Sequence, residues 1–472
     1  MPALLLATVV SCKKENFEVP TELDPNAPPV ALYLNNANTA QIRQLGVGLQ
    51  AVTRTAFLDF GRVTGSVGRE IIFAAATDNR YFTEILGTNV AQYGGTAAGA
   101  NDPAGIFNTY YSAYSQTRRR AEQFIIAANN TTAISAEQKK AVEGFARTIQ
   151  AYVTLNLANM QGKNGIRESF TDLLIPGDLL KPGKFGTYAS ALVLCKKFAD
   201  DGLAALNATG TAGFPFGVNS GYGSFSSVAQ FKKFNRAIAA RIAMYQADYP
   251  GMLTALNASF LDLTGNLKLG PNFIFSTLPN DITNGLFHVP NASGAPYVVF
   301  ADVIAGAEAG DKRMFPRLDT AGKLINVDTL KVGVRNTPRQ SGPFNFTREV
   351  RMYASNVASA SIIRNEELVL MYAEAKAQTS AFADAKTALD LIRTTYGLAP
   401  YAGPLTTAAL IDEVLKQRRY SLFFEGHRWF DMRRYNRLSQ ITPQGSIGGN
   451  NFVVFEAMSR PDAEVQWDIR NP

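Results

Sequence analysis

Histidine, cysteine and tryptophan are almost missing from this chain, with two of each in 472 residues. The histidines, His288 and His427, stand far apart and form no His-Glu-x-x-His pair, which excludes a histidine-rich metal centre of the zincin kind. Cysteines this few cannot form a disulfide framework. Cys195 sits among apolar neighbours in ALVLCKKFADDGLAAL and reads as a small buried hydrophobe. There is no Gly-x-Ser-x-Gly elbow. The Gly-Lys pairs at Gly162, Gly183 and Gly322 lack the Ser or Thr that a phosphate-binding loop needs. No run of apolar residues approaches the roughly 20 needed to span a bilayer. Neither a metal nor a cofactor is expected, and no catalytic residues are identified.

Charge is also sparse, at 18% of residues, while hydrophobic residues make up 46%, a globular composition rather than a disordered one. The net charge of +7 could suit an anionic partner, but no long basic run supports nucleic acid. The densest cluster, Arg118-Arg119-Arg120, opens an amphipathic pattern and reads as a solvated helix face.

Leu4 to Val10 are almost wholly apolar and lead into Ser11 and Cys12. The run is too short to cross a membrane and fits a secretory leader over 1–11. Its end, VVSC, resembles a bacterial lipobox, in which the cysteine is acylated after cleavage. Two or more acyl chains anchor stably, at about 0.8 kcal/mol per buried methylene. The next segment, 12–36, is rich in Pro, Asn and acids and reads as an extended tether.

What the chain does have is helical periodicity. In AEQKKAVEGFARTIQAYVTLNLANMQG, Val142, Phe145, Ile149, Tyr152 and Val153 form one apolar stripe. Ser135 and Gln138 are spaced as a capping box, and Gly162 ends the pattern. YASALVLCKKFADDGLAALNATG predicts another helix, and 228–262 one or two more, divided near Pro250. ASIIRNEELVLMYAEAKAQ and AFADAKTALDLIRTTYGL pair across Thr379-Ser380. LTTAALIDEVLKQRRYSLFFEGHRWFDMRRYNRL completes the set, capped by Thr406 or Thr407. Such pairs stack in the tetratricopeptide manner. Between them lie long Gly/Pro/Asn/aromatic loops, and 331–351 carries short β-like runs.

The last pattern is the most specific. QRRYSLFFEGHRWFDMRRYNRL closely resembles the carboxy-terminal signature of the SusD/RagB family: Glu425, Gly426, Arg428, Trp429, Phe430, Asp431, Arg433 and Arg434 match, with Met432 for the usual Leu. AVEGFARTIQAYVTLNLANMQG, FKKFNRAIAARIAMY and SIIRNEELVLMYAEAKAQ resemble three further blocks of that family in the same order. The resemblance implies a mainly α fold with tetratricopeptide-like helix pairs, long irregular loops and a few short β-strands. It divides the body into an amino-terminal helical region, 37–260, and a carboxy-terminal region, 261–472. It also implies a lipid-anchored protein on the outer-membrane surface, delivering an oligosaccharide or oligopeptide to a SusC-like TonB-dependent transporter, with no catalysis of its own. Two other readings stay open on the residues alone: a helical-repeat scaffold that binds only proteins, and a glycoside hydrolase built on two acids. The neighbours Glu366 and Glu367 point to different helix faces.

Physical reasoning gives the signature a structural role. Glu425–Arg428, Arg428–Asp431 and Asp431–Arg434 are three apart and would pair on a helix. Trp429 reads as core, and Glu374 and Arg393 as charges in the packing layer. Ligand contacts are expected in the loops. With Trp429 and Trp467 outside them, Tyr and Phe must serve. The candidates are Arg69, Asp78, Arg80, Tyr81, Phe82 and Tyr93 in one stretch, and Tyr222, Phe225, Phe287 and Tyr297 in others.

Overall fold

The computed structural model describes residues 30–75, 80–87, 101–105, 108–169, 183–447 and 450–471. Cys12, Asp78, Tyr93, the leader and most of the tether lie outside the described residues.

α1 (Val30–Asn36) is followed by α2 (Thr39–Val67), whose start is fixed by a capping box between Asn38 and Gln41. β1 (Ile71–Phe73), α3 (Arg80–Phe82) and a π turn at Thr83–Gly87 come next. A first helical layer holds α4 (Thr109–Asn130), α5 (Ala136–Gln161), α6 (Tyr188–Asn207), α7 (Val228–Tyr245) and α8 (Tyr249–Asn257). β2 (Asn272–Phe273), β3 (Tyr297–Val299), α9 (Ala301–Ala305), β4 (Val332–Ser341), β5 (Phe344–Val350) and β6 (Ala360–Ser361) precede a second layer. That layer is α10 (Asn365–Gln378), α11 (Phe382–Thr395), α12 (Thr407–Ser421) and α13 (Arg428–Arg434). β7 (Ser446–Ile447), β8 (Asn450–Asn451) and α14 (Asp462–Arg470) end the chain. The fold is mainly helical, with few short strands, as expected.

Local chemistry sets the boundaries. Ser135 accepts from the Gln138 amide and Gln138 returns the bond, opening α5. Asp248 caps α8, with Pro250 in its first turn, where a missing N–H costs nothing. Thr406 caps α12. Ser380 takes φ +61° at the α10–α11 join.

The predicted stripe of α5 is buried, and so are nearly all its residues after Ala141, because α4, α6 and α7 surround it. Its core partners are rings: Phe145 lies 4.8 Å from Phe231 and 5.0 Å from Phe216. A second apolar cluster joins α10, α11 and α12 through Leu370, Leu389, Ile392 and Val414. Cys195 is buried, and burial pushes its thiol up to about 12, as suits an inert hydrophobe. The β-like runs at 331–351 form the β4–β5 hairpin, which closes at Gly342 with φ +54°. It edges a four-stranded antiparallel sheet in the order β1-β3-β5-β4, with Ile72 opposite Val298 and Val332 opposite Val350.

Two expectations are corrected. Arg118 is not on a solvated face: it is buried in mid-α4, and its guanidinium donates to the Arg167 carbonyl at 2.8 Å. Only Arg119 and Arg120 reach water. The last helix is not continuous either. Phe424 (φ +60°) and Gly426 (φ +85°) are left-handed and break it between α12 and α13. A Cβ on Gly426 would lie 2.3 Å from the Phe60 ring, so glycine is required on two counts.

The break rewrites the signature pairs. Glu425 is no longer one turn from Arg428. It accepts instead from Arg364 and, at 3.2 Å, from Lys331 on the hairpin side. Arg428 does not bond Asp431. Asp431 takes Arg418 at 2.7 Å and Arg434 at 2.9 Å, the one expected pair that forms. Trp429 is fully buried and donates its indole N–H to the Phe455 carbonyl at 2.8 Å. Glu374 meets Arg434, and Arg393 meets Glu308 and Glu413, as packing-layer charges.

Candidate ligand-binding site

The last turns of α2, the end of β1, the start of β3 and the loop before β3 converge on a half-open patch. α2 contributes Asp59 and Arg62, β1 contributes Phe73, and β3 contributes Tyr297. Tyr81 arrives from α3. The Arg62 guanidinium lies 4.9 Å above the Phe73 ring centre, a cation–π distance. Its Nε donates to the Tyr297 hydroxyl at 2.9 Å, which in turn donates to the Gly285 carbonyl at 2.8 Å. Phe73 meets Tyr81 edge-on at 4.9 Å and Tyr297 at 4.9 Å, and His288 lies 6.1 Å from Tyr297. Phe73, Tyr81, Phe287 and His288 are half-buried, and Arg62 keeps 22% of its side chain in water.

The loop before β3 is held from behind. Glu349 is wholly buried, accepts the Asn291 N–H at 2.9 Å and is clamped by Arg335 and Arg351. Arg339 ties the Gly294 and Ala74 carbonyls together at 3.0 and 3.2 Å. A ligand would therefore meet a preformed surface rather than a collapsing one.

Arg62 keeps its charge and is answered by Asp59 at 3.6 Å. Burial works against the Arg62 charge, but Tyr297, Tyr81 and Asp59 outweigh it and hold its pKa above the usual value. Burial pushes the Tyr297 phenol up to about 12, so it stays a neutral donor. Burial also lowers the His288 imidazole, against the Val289 carbonyl, so the ring is neutral at pH 7. Aromatic edges beside a fixed guanidinium can hold a polar ring-bearing ligand by stacking and charge-assisted hydrogen bonds. Among the described residues, no three His, Cys, Asp or Glu side chains could hold a metal ion. No described helix is long and apolar enough to cross a membrane.

Of the residues singled out in the sequence, Tyr81 and Tyr297 meet here through Phe73, Phe287 precedes His288 in the bordering loop, and Arg80 is exposed on α3. Tyr297 takes part as the anchor for Arg62 rather than as a face for ligand, because it is itself buried. Arg69, Phe82, Tyr222 and Phe225 are buried as well, which leaves them no surface to offer. Arg69 has φ +54° and donates to the carbonyls of Ser66, Val67, Leu86, Val453 and Pro443; burial lowers its pKa to about 9. Phe82 packs on Phe344, Tyr222 on Phe145 and Phe231, and Phe225 on Phe260. Asp59, Arg62, Phe73 and His288 went unrecognised. Reading α2 as a helix ending beside β1 could have found Asp59, Arg62 and Phe73.

Residues 342–471, from the end of the hairpin through α14, match the model of the SusD family. Over nearly its whole length the chain also shares its fold with a SusD superfamily protein of Bacteroides vulgatus, at TM-score 0.60 and 15% identity, covering 91% of this chain and 97% of that one. The fold is SusD-like. A laminarin-binding SusD-like protein matches the SusD-like chain at TM-score 0.57 and 16% identity, over 90% of this chain and 97% of its own. A SusD-like carbohydrate-binding protein of Bacteroides vulgatus matches at 0.58 and 12%, over 84% and 83%. No curated protein matches the chain.

Proposed function

We propose that this SusD-like protein captures an oligosaccharide on the outer-membrane surface and delivers it to a SusC-like TonB-dependent transporter, without transforming it. Acylated Cys12 would moor it, and the segment up to α2 would serve as tether. The observation that carries the reading is the cluster of Arg62, Phe73, Tyr81 and Tyr297, half-open rings around a fixed guanidinium. Sugars offer such a surface apolar C–H faces and hydroxyls together. Two proteins of the same fold, described as laminarin-binding and carbohydrate-binding, lend support.

Calorimetry against an oligosaccharide panel, with a peptide pool alongside, tests it. A glycan should bind, and Tyr81→Ala and Arg62→Gln should each weaken it about tenfold, roughly 1.4 kcal/mol, with little change in melting temperature. Binding of peptides alone, or glycan binding indifferent to both substitutions, would reject the site. Hydrolysis of any bound glycan would reject pure capture.

A further inference from the structure

α9, α12 and α13 border a second surface pocket of about 440 Å³. Its wall carries four cations, Lys416, Arg419, Arg428 and Arg437, and one acid, Asp412. Most of these charges are answered. Lys416 reaches Glu308 at 2.7 Å, Arg437 pairs with Asp412, and Arg419 lies 3.5 Å from Asp302. Arg428 differs. Its side chain makes no hydrogen bond or ion pair with a described residue, and its Nε is buried without an acceptor. The Nε of Arg419 is buried and unanswered as well. Glu70 and Asp302 act on Arg428 through space, but neither pairs with it. Glu70 is enclosed, with one oxygen accepting the Phe424 N–H at 3.3 Å.

A buried guanidinium N–H without an acceptor is unfavourable, and a second one beside it adds repulsion. Burial, then Arg419, lowers Arg428 to about 10, which leaves it charged at neutral pH. An entering oxyanion would meet the half-buried guanidinium groups of Arg428 and Arg419, which both line the pocket, and the guanidinium fork matches carboxylate and sulfate geometry. The volume falls in the range of small-molecule pockets, so it admits more than a bare ion.

We propose that this pocket is an anion site taking the carboxylate or sulfate of a small acidic ligand, with Arg419 and Arg428 as the recognition pair. It shares no residue with the Arg62–Tyr297 patch and does not depend on the function proposed for that patch.

The test titrates the full chain, in low-salt buffer, with inorganic sulfate, glucuronate and uncharged glucose, by calorimetry and melting temperature. Saturable binding of sulfate or glucuronate is expected, weakening as NaCl is raised. Arg428→Gln and Arg419→Gln should each weaken it at least tenfold. Lys196→Gln, the same charge change on exposed α6, should leave it unaltered, as should Tyr81→Ala. If circular dichroism shows Arg428→Gln unfolded, Arg419→Gln carries the same test. The proposal is overturned if neither anion binds at millimolar concentration. It is equally overturned if Lys196→Gln weakens binding as much as Arg428→Gln does, or if Tyr81→Ala abolishes it.

Discussion

α4–α7 and α10–α13 are both layers of packed helices with apolar cores, yet rings dominate the first and buried charges are added to the second. In the first, Phe231 is ringed by Phe145, Phe214, Tyr222 and Phe234 at centroid distances of 4.8 to 5.9 Å. In the second, buried ion pairs tie the elements to one another and to α7: Arg241 of α7 to Glu367, Arg364 to Glu425, and Arg418 and Arg434 to Asp431. Rings attract without direction, so a ring layer loses stability in proportion to the volume removed. Buried charges are different. Each partner is favourable only while the other is present, so a single loss strands an ion out of water.

The largest expected effect therefore lies in the ionic layer. Arg241 donates to Glu367 at 2.7 and 2.6 Å with both side chains buried. Glu367→Leu should cost about 3–5 kcal/mol in denaturant melts at pH 7.5, and Arg241→Met added to it should restore most of that. If the double variant is no better than the single one, the contrast between layers fails.

Acid should find the same layer next. Burial lowers the His427 imidazole to about 4, against ~6.5 for a free histidine. The unfolded chain then takes the proton first, so this stability is complete above ~6.5 and falls as pH drops toward 4. Burial raises the Glu367 carboxyl, but Arg241 and His427 outweigh it and hold it at about 2. Its contribution is therefore lost between ~4.3, the unfolded value, and 2. Burial pushes Glu70 up to about 8, so its own term runs the other way, with stability lost as pH rises from ~4.3 toward 8. His427→Gln should flatten the loss between 6.5 and 4 in a pH series of melts.

In the ring layer, Phe231→Leu should cost about 1–2 kcal/mol with no change in pH dependence. A new acid slope in that variant would show the layers to be coupled. Smallest of all, Ser135→Ala should remove the α5 capping box for about 1 kcal/mol, seen as faster amide exchange in the first turn of α5.

Much of this scaffold was legible because its boundaries are written in local chemistry. Ser135 with Gln138, Pro250, Thr406 and the 331–351 alternation each specify a structure within a few residues. α2 was missed, since polar letters interrupt its buried face. Thr53 and Thr64 turn their hydroxyls back to the Leu49 and Phe60 carbonyls at 2.7 and 2.6 Å, and Gln50 bonds the Gly46 carbonyl at 3.0 Å. Their polarity is satisfied inside the helix, beside an apolar stripe of Ile42, Leu49, Ala56, Phe60, Val63 and Val67. With α2 unseen, Asp59 and Arg62 had no place in the site. Tyr222 and Phe225 misled for the converse reason: a loop rich in aromatics folds down as a 3-10 turn onto α7, and its rings become core.

The left-handed step at Phe424 and Gly426 carries a consequence for chain length. It aims Glu425 at the hairpin and the start of α10, while Trp429 and Asp431, a few residues on, reach the Phe455 carbonyl and Arg418 of α12. One residue inserted between Leu422 and His427 would push everything after it out of register with its partners. The indole would swing toward solvent and the carboxylate would leave its arginines. Surface turns usually accept such indels; this one should reject them, and a scan of single insertions would find its sharpest intolerance there.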